Sequence, residues 1–171
     1  MLNYGITGFM SVGAAFDVIT PFTQDAGPVF LLTPKLGTRL TEKIHAGGGL
    51  LYANAFGAGG FGGVGILYGI GTYGTRDNNI TAGMGWGFIE MDFDSRPIII
   101  VSAMARVSRR IGLVTENWFI PADVYVGFIS YGLRFMGERI TVDFAFVNNR
   151  RVTEEILIGI PYIDFVYKFG R

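Results

Sequence analysis

Residues 129–146, ISYGLRFMGERITVDFAF, contain two runs in which apolar and polar or small residues alternate. A period of two is the pattern of a β-strand, whose side chains point in turn to opposite faces of a sheet. The polar interruption at 137–138 is typical of a tight hairpin turn. With a two-residue loop the predicted pairs are Phe135–Ile140, Leu133–Val142, Tyr131–Phe144 and Ile129–Phe146. One face of this hairpin is then wholly apolar, and the other carries Arg134 and Asp143, one diagonal cross-strand step apart.

The same alternation extends through most of the chain and predicts ten strands. They fall at 2–18, 28–40, 44–53, 62–75, 80–89, 98–107, 111–120, 124–136, 139–147 and 156–169. No run approaches the ~20 uninterrupted apolar residues of a membrane helix, and no helix of useful length is predicted. We therefore expect one all-β domain over residues 1–171, with eight strands as the alternative count.

The links between these strands are of two kinds, which alternate along the chain. Tight polar turns are predicted at 41–43, 77–79, 108–110 and 137–138, and looser links at 20–27, 54–60, 90–97, 121–123 and 148–155. In an up-and-down sheet this order gathers the tight turns at one end, and ten strands place both termini there. Bacterial outer-membrane barrels have this layout, with short periplasmic turns. The pattern therefore favours an antiparallel up-and-down transmembrane β-barrel over a soluble, lipocalin-like barrel.

Composition narrows the possible functions. Half of the residues are hydrophobic, 26 are glycine and 15% are aromatic, which is unusual for an ordinary soluble domain. Lys plus Arg equals Asp plus Glu at 14 each, so no net charge attracts nucleic acid. With no cysteine, the chain has no disulfide, thiolate metal site or cysteine nucleophile. If the protein is exported, we expect its signal peptide to lie outside this sequence.

Residue size predicts which face of the sheet meets lipid. Glycines are expected on the face that carries the charges, at Gly47, Gly49, Gly65, Gly69, Gly71, Gly83, Gly85 and Gly87. Bulky residues are expected on the other face, at Val64, Ile66, Tyr68, Ile70, Met84, Trp86, Phe88, Phe144, Phe146, Phe165 and Phe169. A ten-stranded barrel is too narrow to hold so many large side chains, so they should face outward. Interfacial aromatic girdles are predicted from Trp86, Phe88, Trp118 and Phe119 at the looser-link end, and from Phe135, Tyr167 and Phe169 at the other.

The charged face carries the candidate lumen residues. They are Lys35, Arg39, Arg106, Glu116, Arg134, Asp143, Asp164 and Lys168. One interpretation is an ion-selective or substrate-guiding lumen. The favoured one is a plug of mutually neutralised charges, because the two signs nearly balance and buried polar groups need partners.

The sequence offers little support for catalysis. The single histidine, His45, is predicted near the short-turn end, whereas hydrolysis needs a base beside a nucleophile and an orienting carboxylate. The candidate nucleophiles are Ser11, Ser102 and Ser130. Asp92 and Asp94 form a close acidic pair in a looser link, without the spacing of a calcium loop. We therefore predict no enzymatic activity, no metal site and no cofactor.

The last predicted strand resembles a known targeting element. Its residues Ile163, Phe165, Tyr167 and Phe169 alternate with Asp164, Val166 and Lys168. This resembles the terminal β-signal by which outer-membrane proteins are recognised for insertion, although two residues, 170–171, follow the last aromatic. Together with the segments 131–135 and 114–119, the chain resembles the small, uncharacterised outer-membrane barrels of Bacteroidota. That resemblance implies a fold and an outer-membrane location in a Gram-negative bacterium, and no site residues.

These observations predict a non-enzymatic barrel that acts as an anchor, scaffold or assembly subunit with a closed or narrow lumen. The expected partners are the lipid bilayer, the outer-membrane insertion machinery and possible protein subunits of a membrane complex, and not nucleic acid. A small channel for ions or apolar solutes is the alternative. An outer-membrane hydrolase is the remote one.

Overall fold

The computed structural model describes residues 2–17, 28–55, 62–121, 126–149, 152, 154, 156 and 158–167. Twelve antiparallel strands follow one another in one up-and-down sheet, which confirms the predicted all-β class. They are β1 (Leu2–Gly5), β2 (Met10–Asp17), β3 (Val29–Arg39), β4 (Ile44–Ala55), β5 (Val64–Gly74), β6 (Asn78–Ile89), β7 (Asp92–Phe93), β8 (Ile98–Arg106), β9 (Ile111–Ile120), β10 (Val126–Met136), β11 (Ile140–Asn148) and β12 (Ile160–Tyr167). Hydrogen-bonded neighbours follow chain order, except that β6 pairs with β8 and β7 pairs with β6 beside this path.

The predicted count of ten strands is wrong in two places. Predicted strand 2–18 is two strands, because the N–H groups of Ile6 and Thr7 both donate to Met10 O, at 2.9 and 3.1 Å, and close a turn. β7 lies inside the predicted 90–97 link, and its hairpin with β6 turns at Glu90 and Met91. Their φ values of 50° and 70° are in the left-handed region, which glycine or asparagine usually occupies. Because glutamate and methionine are not typical of this region, the sequence does not predict a turn here.

β1 also changes the predicted position of the amino terminus. It pairs with β2 from Leu2–Ala14 to Gly5–Ser11, and therefore runs toward the tight turn at 6–9. The first strand therefore starts at the end of the sheet opposite the short turns. The prediction that the amino terminus lies on the short-turn side is wrong. The last described strand, β12, runs toward the short-turn side, as predicted, since Tyr167 pairs with Ile140 next to the β10–β11 turn.

The chain forms two compact units. The amino-terminal unit comprises residues 1–41, 45–71 and 83–98, and the carboxyl-terminal unit comprises 42–44, 72–82 and 99–171. The prediction of a single domain stays a prediction. Buried residues of the amino-terminal unit are Thr33, Ala55, Phe88 and Ile98, and those of the carboxyl-terminal unit include Ile100 and Ala145.

In the amino-terminal unit, β5 presents the opposite faces from those predicted. Tyr68 and Ile70 lie over glycines of the two neighbouring strands. A Cβ atom on Gly85 would come within 2.9 Å of Tyr68 Cβ, and one on Gly47 within 3.6 Å of Ile70 Cγ1. The alternate positions of β5, Gly65, Gly69 and Gly71 among them, therefore lie on the other face, with the exposed Leu67 and Tyr73. The large side chains fill the space that glycines leave on β4 and β6, and a one-residue difference in register reverses both faces of a strand.

We call the shared side of β4–β6 the glycine face. Its members are Gly47, Gly49, Ile66, Tyr68, Ile70, Gly83, Gly85 and Gly87. The predicted register of the preceding hairpin is confirmed, because Arg39 pairs with His45 and Lys35 with Gly49. Alternation along β3 and β4 therefore places Lys35 and Arg39 on the glycine face too.

In the carboxyl-terminal unit, the β10–β11 register differs from the prediction by two residues. Leu133 pairs with Phe144, and Arg134 pairs directly with Asp143. The last ladder pair is Met136–Thr141, and the Gly137 N–H donates to Ile140 O at 2.8 Å, so the two-residue turn falls at 138–139 and not at 137–138. Because the shift is even, every residue keeps its predicted face.

Candidate functional site

The charged side chains of β8–β12 all lie on one face of the sheet. The register pairs that establish this are Ser102–Glu116, Arg106–Gly112, Glu116–Ser130, Arg134–Asp143 and Asp143–Asp164. We call this side the charged face. The opposite, apolar face holds residues such as Leu113, Leu133, Phe144 and Phe165, and none of its described positions carries a charge.

Arg134 and Asp143 form the centre of the charged face. The guanidinium donates to both carboxylate oxygens, from Nε to Oδ1 at 2.8 Å and from Nη2 to Oδ2 at 2.6 Å. This is the two-pronged geometry that makes arginine–carboxylate pairs both strong and directional. The Asp143 side chain is only 14% exposed and that of Arg134 35%, so water screens the carboxylate poorly. Nη1 also reaches the Met104 sulfur at 3.7 Å.

A second carboxylate adjoins this pair. Asp164 on β12 pairs directly with Asp143 on β11. Two like charges directly opposite one another on neighbouring strands are unfavourable unless a cation is shared between them. Arg134 is that cation among the described residues. Lys168, predicted on the same face, lies outside the described residues.

Arg106 holds two tight turns together at the end of β8. Its Nη1 donates to Asp77 Oδ1 at 2.8 Å, and its Nε to Ser108 O at 3.0 Å, while Nη2 donates to Arg109 O. The side chains of Arg106 and Asp77 are 33% and 48% exposed, so solvent screens this pair far more than Arg134–Asp143. Arg106 therefore stabilises these turns at a site more exposed to solvent than that of Arg134.

A polar cavity of about 780 Å³ opens between these two ion pairs. Its lining includes Arg76, Asp77, Arg106, Arg134, Glu138 and Thr141, with Met104, Met136 and Val166 as apolar walls. Both signs of charge meet here. The cavity thus provides the space and the polar groups for hydrated ions. Two of its arginines, Arg106 and Arg134, are already paired with carboxylates.

Glu116 lies further along the charged face, beside an aromatic residue. The Trp118 Nε1–H donates to Glu116 Oε1 at 2.7 Å. Trp118 pairs with Phe128 across β9 and β10, which places the indole on the charged face. The prediction that Trp118 belongs to an outward girdle is therefore wrong, because alternation from Glu116 puts both residues on one side. A cavity of about 200 Å³ lies at this point.

The other two predicted lumen residues belong to the amino-terminal unit. Lys35 and Arg39 are exposed on β3, and their cross-strand partners on β4 are Gly49 and His45. Deeper on the same face of β3, Thr33 is 1% exposed, with no hydrogen-bond partner for its hydroxyl among the described residues. Within the carboxyl-terminal unit the structure thus brings together Arg134, Asp143 and Asp164, whereas Arg106 and Glu116 make separate contacts.

An apolar cavity of about 590 Å³ was not predicted. Leu31, Leu51, Val64, Ile66, Phe88 and Phe93 line it, and Asp92 and Asp94 lie at its edge. The β7 hairpin creates it by bringing the Phe93 ring to 5.0 Å from that of Phe88. Phe88 is buried as a result, so it too is wrongly predicted as an outward girdle residue. Asp94 Oδ1 accepts the Arg96 N–H at 2.9 Å, which makes this carboxylate part of a turn.

The residues of the terminal signal lie on the apolar face of β12. Ile163, Phe165 and Tyr167 are exposed, and Phe165 reaches 64%. Phe169 lies outside the described residues. These apolar side chains are therefore accessible on the last strand of the sheet order.

The residues considered for catalysis do not converge among those that the structure describes. His45 is half-buried on β4 opposite Arg39, whereas Ser102 and Ser130 flank Glu116 on β8 and β10. No group of three acidic or histidine residues suited to a metal ion occurs in the described ranges. In the same ranges, no helix has the length and apolar character to cross a membrane.

Several partners in these contacts escape prediction from alternation alone. Four residues contact the predicted charged residues or line a cavity with them, and nothing in their own sequence context predicts this role. They are Asp77, Met104, Phe128 and Tyr162. The register of β9 to β12 is what brings them together. A correct hairpin register, extended strand by strand, could have found Phe128 opposite Trp118.

Comparison with protein-family models, with curated proteins and with solved structures found no match to this chain.

Proposed function

We propose that this chain is an integral β-barrel protein of a bacterial outer membrane, acting as a non-enzymatic anchor, scaffold or assembly subunit with a closed or narrow lumen. The observation that carries the proposal is the separation of charge from apolar surface in β8–β12. All five charges of these strands lie on the charged face. The apolar face is the more exposed one along β10, where Ile129, Tyr131, Leu133 and Phe135 alternate with partly buried neighbours.

On β10 and β11 this arrangement is the reverse of what water selects, whereas Arg106, Glu116 and Asp164 on the charged face are exposed. In a soluble sheet the large apolar side chains are covered and the charges face solvent. Here Leu133 is 36% exposed and Phe135 42%, while Asp143 is 14% exposed and paired. Exposed apolar surface of this kind is stable against hydrocarbon, and it costs free energy against water. Lipid is therefore the partner that suits the apolar face best.

The paired charges support a narrow or closed interior. An arginine and two aspartates on one face need mutual compensation where water is scarce. Arg134 supplies it to Asp143 through two hydrogen bonds. Side chains held in this way fill space between strands, as expected of a scaffold.

Site-specific fluorescence tests the proposal, because the chain has no cysteine to remove. Leu133→Cys and Ser130→Cys, each labelled with an environment-sensitive dye, place the dye on the apolar and the charged face of one strand. In lipid vesicles, we expect brominated lipids to quench the dye at 133 and to spare the dye at 130. Equal quenching at both positions, or a folded and monodisperse protein in detergent-free buffer, would contradict the proposal.

A channel is the second candidate, favoured by the 780 Å³ polar cavity with its arginines and carboxylates. Planar-bilayer recordings separate the two. The scaffold proposal expects absent or very small conductance. Large, steady, ion-selective conductance would favour the channel, and selectivity that changes in Arg76→Gln or Glu138→Gln would assign the path to this cavity.

A further inference from the structure

The cavity beside Glu116 combines three aromatic rings with one carboxylate. It measures about 200 Å³ and is lined by Glu116, Trp118, Phe128, Ser130, Val147 and Tyr162. Four strands contribute to it. Trp118 pairs with Phe128, Glu116 with Ser130 and Ser130 with Val147, while Tyr162 pairs with the fully buried Ala145 next along β11. All six side chains therefore lie on the charged face of the carboxyl-terminal unit.

One hydrogen bond orients the two residues at the centre of this cavity. The Trp118 indole N–H donates to Glu116 Oε1 at 2.7 Å. This bond uses the edge of the indole and satisfies its single donor, so both ring faces are left for other contacts. It also holds the carboxylate next to the aromatic wall.

Glu116 has no cation to neutralise it among the described residues. The two arginines described on the charged face, Arg106 and Arg134, are paired with Asp77 and Asp143. Its register partners on either side, Ser102 and Ser130, are uncharged. The described lining of the cavity therefore carries a net negative charge beside aromatic rings, whose faces are electron-rich.

These features favour one class of ligand. Aromatic faces attract cations through the ring quadrupole, and several rings around a carboxylate suit a quaternary ammonium group. Such a group has apolar methyls and no N–H donor, so it needs no more acceptors than the cavity offers. A primary ammonium has three donors to satisfy. The volume equals about six to seven waters at ~30 Å³ each, which suits a trimethylammonium head and not a drug-sized ligand.

We propose that Glu116, Trp118, Phe128 and Tyr162 form an aromatic cage that binds a quaternary or trimethylated ammonium group. The proposal rests on the geometry of the charged face and does not depend on the proposed membrane location. The group could arrive on a small solute or on the head group of a choline lipid. The experiment below distinguishes these two sources.

The chain has two tryptophans, so Trp86→Phe makes Trp118 the single fluorescent reporter. This variant, folded in a maltoside detergent without any ammonium group, is titrated with choline chloride. The control ligand is 3,3-dimethylbutan-1-ol, the neutral carbon isostere of choline, and sodium chloride controls for ionic strength. We expect a saturable change in Trp118 emission with choline and none with the isostere.

Cage variants in the same background measure the contribution of each wall. Phe128→Leu and Tyr162→Leu should each weaken choline binding about five- to thirty-fold, equivalent to about 1–2 kcal/mol. Glu116→Gln should weaken it as well. The matched control, Phe144→Leu on the apolar face, should leave the affinity unchanged. Circular dichroism establishes that each variant is folded, and saturation-transfer NMR of the choline methyl protons on the unmodified chain replaces fluorescence if Trp86→Phe does not fold.

Equal binding of choline and its neutral isostere would overturn the proposal, as would unchanged affinity in folded Phe128→Leu and Tyr162→Leu, or the absence of saturable binding. Reconstitution then identifies the source of the group. If choline binds in phosphatidylglycerol bilayers and is excluded in phosphatidylcholine bilayers, the lipid head group occupies the cage. If choline binds equally in both, the cage serves a free solute.

Discussion

Strands β4–β6 of the amino-terminal unit and strands β8–β12 of the carboxyl-terminal unit fill the space above one of their own faces by different means. On the glycine face, large β5 side chains occupy the space above glycines of the two flanking strands, as Tyr68 does between Gly49 and Gly85. On the charged face, opposite charges occupy that space and neutralise one another, as Arg134 and Asp143 do. The first solution depends on volume and the second on charge. The two regions should therefore fail under different substitutions.

The largest effect is expected where a charge loses its partner. Arg134→Ala leaves Asp143 and Asp164 facing one another without a cation, and should lower the free energy of unfolding by about 2–3 kcal/mol, somewhat less than for a fully buried pair. Urea unfolding in lipid vesicles measures it. Arg106→Ala is the matched control and should cost less than about 1 kcal/mol, because that pair is more exposed. Equal losses in both variants would mean that burial does not distinguish the two pairs.

The next effect tests the volume solution. Gly83→Val should cost about 1–3 kcal/mol, because its Cβ would meet the Gly69 carbonyl and lie 2.9 Å from Ile70 Cα. Gly69→Val is the control on β5, where an added Cβ has no atom within 4 Å. It should be neutral or slightly stabilising, as valine suits a strand. The same urea assay compares the two variants. If Gly69→Val is equally unstable, the loss of glycine's backbone flexibility and not crowding explains the destabilisation.

A smaller effect is expected at the hairpin that covers Phe88. Phe93→Leu removes the ring contact at 5.0 Å and should cost about 0.5–1.5 kcal/mol. Phe165→Leu, on an exposed position of β12, should stay within about 0.5 kcal/mol. Acrylamide quenching of Trp86, made the single tryptophan by Trp118→Phe and located on the same strand as Phe88, provides a second readout. If Phe93→Leu leaves both stability and quenching unchanged, β7 does not hold Phe88 in place.

The smallest effect is expected for catalysis. The unmodified chain and its His45→Ala and Asp92→Asn variants should all lack turnover of phospholipid, lipopolysaccharide and peptide, since His45 lies opposite Arg39 and not beside a candidate serine within the described residues. Chromogenic and mass-spectrometric assays in detergent measure this. Turnover that is lost in either folded variant would replace the scaffold proposal with an enzyme.

Local alternation predicted the faces of most strands but not their detailed pairing. The faces of Arg134 and Asp143 were predictable because period-two patterning survives an even shift in register. Their direct pairing was not, since it depends on a turn at 138–139 that the sequence does not distinguish from one at 137–138. The reversed faces of β5 depend on volume complementarity with glycines on two other strands. The β7 hairpin turns at Glu90 and Met91, residues with no preference for positive φ.

The direct pairing of Arg134 with Asp143 has a consequence for how the hairpin finds its alignment. Sliding β11 past β10 by two residues in either direction keeps the apolar residues on one side, so hydrophobic burial hardly discriminates among the three alignments. In the neighbouring alignments Arg134 would face Thr141 or Ala145, and only the native one sets it opposite Asp143. The ion pair thus favours the native register over the two neighbouring registers when the hairpin forms. Its removal should populate misaligned hairpins and slow the approach to the native state, even in variants whose final structure is unchanged.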